Sequence, residues 1–159
     1  MTKYTTTLIA VRNMEKSLKF YKELFDQNVV CDLGSNKTLT CGITLQEHFE
    51  KIVGFEESSM KFKTHNMELY FESYDFDSFL ELLSEHSEVK LVHETRTFPW
   101  QQRGIRIYDP DDHIIEIGEA MECVGWRLFK EGKTVEEVVK ITEHPVELVQ
   151  KWHESFSKQ

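Results

Sequence analysis

The chain states one pattern twice. A short apolar strand, an amphipathic helix opened by a capping side chain, and further extended stretches run from Tyr4 and again from Glu68. In the first copy, Tyr4 to Val11 is rich in Thr, Ile, Val and Leu, which suit a pleated surface. Asn13 then caps a helix whose apolar residues Leu18, Phe20, Tyr21, Leu24 and Phe25 recur at helical spacing to about Asp26. Two extended stretches follow, Val29 to Leu33 and Thr38 to Leu45, joined by Gly34-Ser35-Asn36, with a short helix expected around Phe49, Ile52 and Val53. In the second copy, Glu68 to Glu72 is the strand, and Asp75 caps a helix carrying Phe76, Phe79, Leu80, Leu82 and Leu83. Val89 to Thr95, Gly104 to Tyr108 and Ile114 to Ile117 complete it. Setting Asn13 against Asp75, 62 residues on, places Thr6 against Glu68. Such a repeat points to two like modules that set equivalent first-strand residues around one shared concavity.

Residues 121–159 break the pattern. Val124 to Phe129 reads as a helix stopped near Gly132, Thr134 and Glu137 form a capping box for Val135 to Thr142, and Val146 to Phe156 follows His144-Pro145. Three short helices resemble a nucleic-acid reader, but Glu122, Glu131, Glu136, Glu137, Glu143, Glu147 and Glu154 outnumber Arg127, Lys130, Lys133, Lys140, Lys151 and Lys158. The net charge of −9 over the whole chain also argues against a nucleic-acid partner, which needs a basic face. Packing or dimerisation is the better reading of this tail, whose apolar residues need a surface to bury. No apolar run is long enough for a bilayer, Met1-Thr2-Lys3-Tyr4 lacks a signal-peptide layout, and a cytoplasmic location is expected. Cys31, Cys41 and Cys123 show no Cys-x-x-Cys spacing and read as buried free thiols.

The stretch Tyr108-Asp109-Pro110-Asp111-Asp112-His113-Ile114-Ile115-Glu116-Ile117-Gly118-Glu119 carries the strongest chemical signal. Asp-Pro-Asp-Asp is turn chemistry, and Ile-Ile-Glu-Ile is a strand in which Glu116 faces with Ile114 and Gly118, away from Ile115 and Ile117. A carboxylate on a buried face needs a partner, a metal or a ligand. Glu68 and Glu116 on one cavity would repel, raising one pKa unless a cation or an arginine neutralises them. Arg106, on the preceding strand, offers that metal-free alternative. Trp100, Tyr70, Phe98 and Tyr108 are candidates to line an aromatic ligand pocket, with ordinary core as the competing reading. His93 and His113 lie at strand or turn edges, where a solvated ring is expected.

Asn13-Met14-Glu15-Lys16-Ser17-Leu18-Lys19-Phe20-Tyr21-Lys22-Glu23-Leu24 resembles the first helix of the vicinal oxygen chelate superfamily, which includes glyoxalase I, bleomycin-resistance and fosfomycin-resistance proteins and extradiol dioxygenases. Tyr108 to Glu119 resembles its closing strand, Glu68 to Asp75 the start of its second module, and Pro99-Trp100-Gln101-Gln102-Arg103 a turn of its bleomycin-resistance-like branch. The resemblance covers roughly residues 4–120 and has no counterpart for the tail. It implies an α+β fold of paired βαβββ modules, about 4–60 and 66–120, curling a mixed sheet around a cavity, within a domain 1–120 followed by a helical tail 121–159.

In metal-using members of that superfamily four ligands sit on the first and fourth strands of each module. Carried over, these positions are Thr6, around Gln46, Glu68 and Glu116. None is a histidine, and Phe98 stands where relatives often carry one. Glu68, Glu116 and a Gln46 carbonyl would suit a hard divalent cation, whereas zinc, nickel or iron sites normally include imidazole. The leading expectation is therefore a small-molecule-binding protein whose pocket involves Thr6, Gln46, Tyr70, Phe98, Trp100, Arg106 and Tyr108 and takes an apolar or aromatic ligand, with no cofactor. The alternative is a divalent-metal-dependent lyase or isomerase of glyoxalase type, with Glu68 and Glu116 holding the ion and serving as catalytic base. A homodimer is expected, since sheets of this superfamily commonly pair across subunits.

Overall fold

The computed structural model describes residues 1–158. They form two four-stranded mixed sheets and six α-helices, the α+β architecture of paired βαβββ units followed by a helical extension. Two compact units emerge. The first comprises Met1–Glu68, Leu82–Lys90 and Tyr108–Ile114, and the second comprises Leu69–Glu81, Leu91–Ile107 and the chain from Ile115 onward.

In the first unit, β1 (Thr7–Val11) leads into α1 (Met14–Phe25), and β2 (Val29–Asp32), β3 (Asn36–Leu39) and β4 (Ile43–Glu47) follow. The sheet order is β1-β4-β3-β2, with β1 parallel to β4 in the register Thr7↔Ile43 to Val11↔Glu47. The Asn13 side chain accepts from Lys16 N at 2.9 Å, capping α1 as its residue type suggests. The stretch expected as one strand from Thr38 to Leu45 is two strands. A turn intervenes in which Gly42 N donates to Leu39 O at 2.9 Å, and this reversal lets β3 and β4 pair antiparallel. Cys31 and Cys41 are exposed, not buried. Strand β2, which carries Cys31, lies at the sheet edge, and Cys123, also read as buried, is half-buried. A short helix α2 (Phe49–Val53) follows β4.

The turn Asp109–Asp112 folds onto α1 within this unit. Asp111, 2% exposed, accepts from Arg12 N at 2.9 Å, Arg12 Nε at 2.8 Å and Ser17 Oγ at 3.2 Å. Asp109 accepts from Tyr21 Oη at 3.0 Å and from His113 N at 2.8 Å. Burial, then the Asp109 charge, pushes the Tyr21 hydroxyl well above its usual range. His113, expected as a solvated ring, instead holds Asp109 Oδ2 through Nδ1 at 2.9 Å, because the tight turn folds the ring back onto that carboxylate.

The second sheet has the order β5-β8-β7-β6, from β5 (Glu68–Ser73), β6 (Leu91–Thr97), β7 (Arg103–Tyr108) and β8 (Ile114–Glu119), with α3 (Phe76–Ser84) after β5. Strand β6 starts at Leu91, not Val89, because Val89 N is engaged in a turn to His86 O at 3.0 Å. Side chains alternate on β8: Ile115 and Ile117 are buried on one face, while Glu116 and Gly118 lie on the other.

The tail forms α4 (Met121–Lys130), α5 (Val135–Thr142), with its capping box at Thr134 and Glu137, and α6 (Val146–Phe156). Its apolar faces close on each other around Val124, Leu128, Val138, Val149 and Trp152. Gly125 permits this approach, since a Cβ there would lie 2.9 Å from Trp152 Cε3. The tail thus buries its own apolar residues, and the argument that it needs an outside surface lapses. No helix among the described residues is long and apolar enough to cross a membrane.

Candidate functional site

One face of the second sheet gathers most of the candidate residues. Strand alternation brings Gly104 and Arg106 of β7, with Gln102 just ahead of the strand, to one side. A Cβ built on Gly104 would meet Phe98 Cε2 at 3.0 Å and Glu116 Oε1 at 3.8 Å. A Cβ on Gly118 would meet Gln102 Nε2 at 2.7 Å and Tyr70 Oη at 2.9 Å. These approaches put Tyr70, Phe98, Gln102 and Glu116 on the same face. A side chain at Gly118 would therefore have to displace Gln102 and Tyr70, a constraint of packing and not of backbone conformation.

Glu116, 7% exposed, is ion-paired with Arg106 Nη2. Arg106 Nη1 lies 3.3 Å from His93 Nε2, and His93 Nδ1 lies 2.7 Å from Glu94 O. A carbonyl accepts and a guanidinium donates, so these contacts assign His93 the Nδ1–H tautomer. His93 is thus not the solvated edge ring expected from sequence; its partner Arg106 lies directly across in the β6–β7 register.

Phe98 and Trp100 stack with ring centroids 4.8 Å apart and planes 6° from parallel, and the Arg106 guanidinium lies 5.8 Å from the Phe98 ring centre. Gln102 orients the neighbours of this pair. Its Oε1 accepts from Trp100 Nε1 at 2.9 Å, and its Nε2 donates to Tyr70 Oη at 3.0 Å and to Glu119 O at 2.9 Å. Tyr70 Oη in turn donates to Glu72 Oε1 at 3.2 Å. Burial pushes the Tyr70 hydroxyl up to about 12; the Gln102 hydrogen bond opposes this, and the Glu72 and Glu116 charges add to it. Gln102 and His93 were not singled out as site residues by sequence. The signal for Gln102 was present, since it directly precedes β7 in step with Gly104 and Arg106.

Other candidates are engaged elsewhere. Thr6 precedes β1, and its Oγ1 donates to Gly42 O at 2.5 Å and contacts Thr44 Oγ1 at 2.9 Å. Gln46 is buried in β4, where its Oε1 accepts from Asn36 Nδ2 at 2.7 Å and its Nε2 donates to Ser35 O at 3.0 Å. In the register Gln46 lies beside Ala10 and Thr44 beside Leu8, and it is the Thr44 hydroxyl, not Gln46, that the Thr6 side chain reaches. Glu68 is exposed at the start of β5. Tyr108 belongs to the first unit, where its hydroxyl is hydrogen-bonded to His65 Nε2 at 2.7 Å.

The four positions carried over from metal-using proteins do not fit a metal ion. Thr6 and Gln46 spend their oxygens on protein donors and acceptors, a guanidinium sits on Glu116, and no imidazole is among them. Among the described residues no group of three or more His, Cys, Asp or Glu is placed to hold one.

The comparisons agree with this architecture. The family model for the glyoxalase-like domain matches residues 4–122, ending where the tail begins. Among solved structures, a protein of unknown function from Agrobacterium tumefaciens str. C58 is 30% identical with a TM-score of 0.64, the match covering 76% of this chain and 95% of that one. The fosfomycin resistance protein FosX from Listeria monocytogenes is 19% identical, with a TM-score of 0.57 and coverage of 76% and 94%. A glyoxalase/bleomycin resistance protein/dioxygenase family enzyme from Burkholderia phytofirmans PsJN is 14% identical, with a TM-score of 0.63 and coverage of 72% and 96%. At these identities the last two share the fold alone. No curated protein matches the chain.

Proposed function

We infer that this chain, which belongs to the glyoxalase-like domain family of the vicinal oxygen chelate superfamily, is a small-molecule-binding protein that takes an apolar or aromatic ligand without a metal. The observation that carries this reading is the stacked Phe98–Trp100 pair beside the Arg106–Glu116 ion pair. Trp100 is 37% exposed and Tyr70 49%, so each can offer apolar ring surface to a ligand. Gln102 fixes the indole N–H and the phenol, so a planar molecule would meet an ordered surface with polar groups at its margin. The glyoxalase-type alternative asks Glu68 and Glu116 to hold a divalent cation, and Arg106 supports the metal-free reading because it already neutralises Glu116. The proposal includes a cytoplasmic homodimer. Its support is edge strand β2, which leaves Val29, Val30 and nearby Leu33 exposed, and an open strand edge is a template for pairing.

The test uses two measurements on protein purified without chelator or histidine tag. Metal content is determined for the wild type and for Glu116→Gln, and the neutral aromatic 2-naphthol is titrated against the wild type and Trp100→Phe. Metal-free wild type that binds 2-naphthol, with weaker binding by Trp100→Phe, is expected. Stoichiometric metal lost on Glu116→Gln would overturn the reading in favour of the lyase or isomerase.

A further inference from the structure

The family match ends at residue 122, so nothing in it accounts for the three tail helices. Their internal packing explains why they fold; it does not explain Arg127. This residue sits on the α4 face that reaches back to the sheet, and its Nη2 donates to Gln101 O at 2.8 Å and to Glu119 Oε2 at 3.1 Å. Gln101 is the conformationally costly residue of the turn that presents Trp100. It lies at φ 68°, in the left-handed region that a non-glycine residue enters only when its surroundings hold it there.

The turn is closed by two backbone bonds, Phe98 N to Gln102 O and Gln101 N to Phe98 O, both 2.8 Å. Neither uses the Gln101 carbonyl, which the tail arginine satisfies. The same tail walls a groove of about 440 Å³ beside the turn, lined by Pro99, Trp100, Gln101, Leu128, Lys140 and Ile141. Glu119 is also held by Arg103, through Nε at 3.2 Å, so Arg127 is not its sole counter-charge. Only the bond to Gln101 is supplied by Arg127 alone.

We propose that the helical tail is a positioning element: Arg127 clamps the Gln101 carbonyl and so holds the Pro99–Gln102 turn in the conformation that offers Trp100 to a ligand. This rests on the reading of the Phe98–Trp100 face as the ligand site. The physical effect is preorganisation. A turn that is competent only part of the time binds more weakly in proportion to that fraction, so a fall to one-tenth occupancy weakens binding about tenfold. Arg127 Nε is buried and makes no hydrogen bond, so a lysine at this position loses no bond there and can still place an ammonium on the carbonyl.

The test labels the three tryptophans of the full chain with 5-fluorotryptophan and reads their ¹⁹F resonances in the wild type, Arg127→Ala and Arg127→Lys, with Trp100→Phe and Trp126→Phe assigning two signals and so the third, Trp152. Without ligand, Arg127→Ala is expected to shift or broaden the Trp100 resonance while that of Trp152, inside the tail core, stays in place, and Arg127→Lys is expected to restore it. Affinity for 2-naphthol should fall about tenfold in Arg127→Ala and recover in the lysine variant. An unchanged Trp100 resonance in Arg127→Ala overturns the proposal. So does a Trp152 resonance that moves with it, since Arg127 would then hold the tail and not the turn. Wild type that fails to bind 2-naphthol overturns the ligand reading instead, and the ligand-free resonances still decide whether the tail orders the turn.

Discussion

Arg106 and Glu116, on neighbouring strands β7 and β8, form an ion pair in which the carboxylate is nearly buried, its side chain 9% exposed against 25% for the arginine. The asymmetry decides what each partner costs to remove. Without its partner the arginine is left at a quarter-exposed position, whereas the Glu116 charge is left at a nearly buried one.

Arg106→Leu is therefore expected to destabilise the fold by about 3 kcal/mol, and Glu116→Gln, which leaves a neutral hydrogen-bonding group, by only about 1 kcal/mol. Urea unfolding midpoints for the two variants check this. Equal losses would show that the carboxylate is not the costly partner.

Gly118 leaves no room for a methyl group, with Gln102 Nε2 at 2.7 Å and Tyr70 Oη at 2.9 Å from where a Cβ would sit. Gly118→Ala is expected to cost about 1–3 kcal/mol, the usual range for overpacking. Because the clash includes the phenol oxygen, the double variant with Tyr70→Phe should lose less than the sum of the two single changes. Strict additivity would mean that Tyr70 moves aside freely.

Asp111 and Asp112 are adjacent, and both face Arg12, but the former has a side chain 2% exposed and the latter 25%. Asp111→Ala removes the acceptor of Arg12 N and Arg12 Nε, while Ser17 Oγ keeps Asn13 O at 3.1 Å, and it is expected to cost about 2 kcal/mol, against less than about 1 kcal/mol for Asp112→Ala. Thermal unfolding of the pair is the measurement, and a larger loss at Asp112 would contradict the assignment.

His113 adds a pH dependence. Burial lowers its pKa, but the Asp109 hydrogen bond and charge, with the Asp111 charge, outweigh burial and raise it. The cationic ring is thus favoured in the folded state. Its contribution is complete below the ordinary histidine value of about 6.5 and is lost as pH rises through the raised folded value. His113→Gln should accordingly cost more stability at about pH 5 than at about pH 8.5, as read from urea unfolding at each pH. A larger cost at the alkaline end would reverse the sign.

Much of the local structure was legible. The spacing of Leu18, Tyr21 and Leu24, with Asn13 ahead of them, specified α1, and Thr134 with Glu137 specified α5. Both signals act over a few residues, through helical periodicity and capping. The reversal between β3 and β4 escaped because Thr38 to Leu45 reads as one extended run until pairing divides it. Thr6 and Gln46 were placed by family position, yet each lies among close polar partners that only the sheet supplies.

The sequence by itself determined the doubled strand–helix pattern, the three helices of the tail and the need of Glu116 for a partner, because periodicity, capping and the cost of burying a charge are properties of residue types in order. The tertiary structure decided which partner answers each need. It set Arg106 on Glu116, Asp111 on Arg12 and Ser17 nearly a hundred residues earlier in the chain, and Arg127 on Gln101. It also assigned Leu82–Lys90 and Tyr108–Ile114 to the compact unit of the first module, against their place in chain order. Hydrogen bonds and ion pairs act over a few ångströms of space, and distance along the chain does not specify which groups will meet.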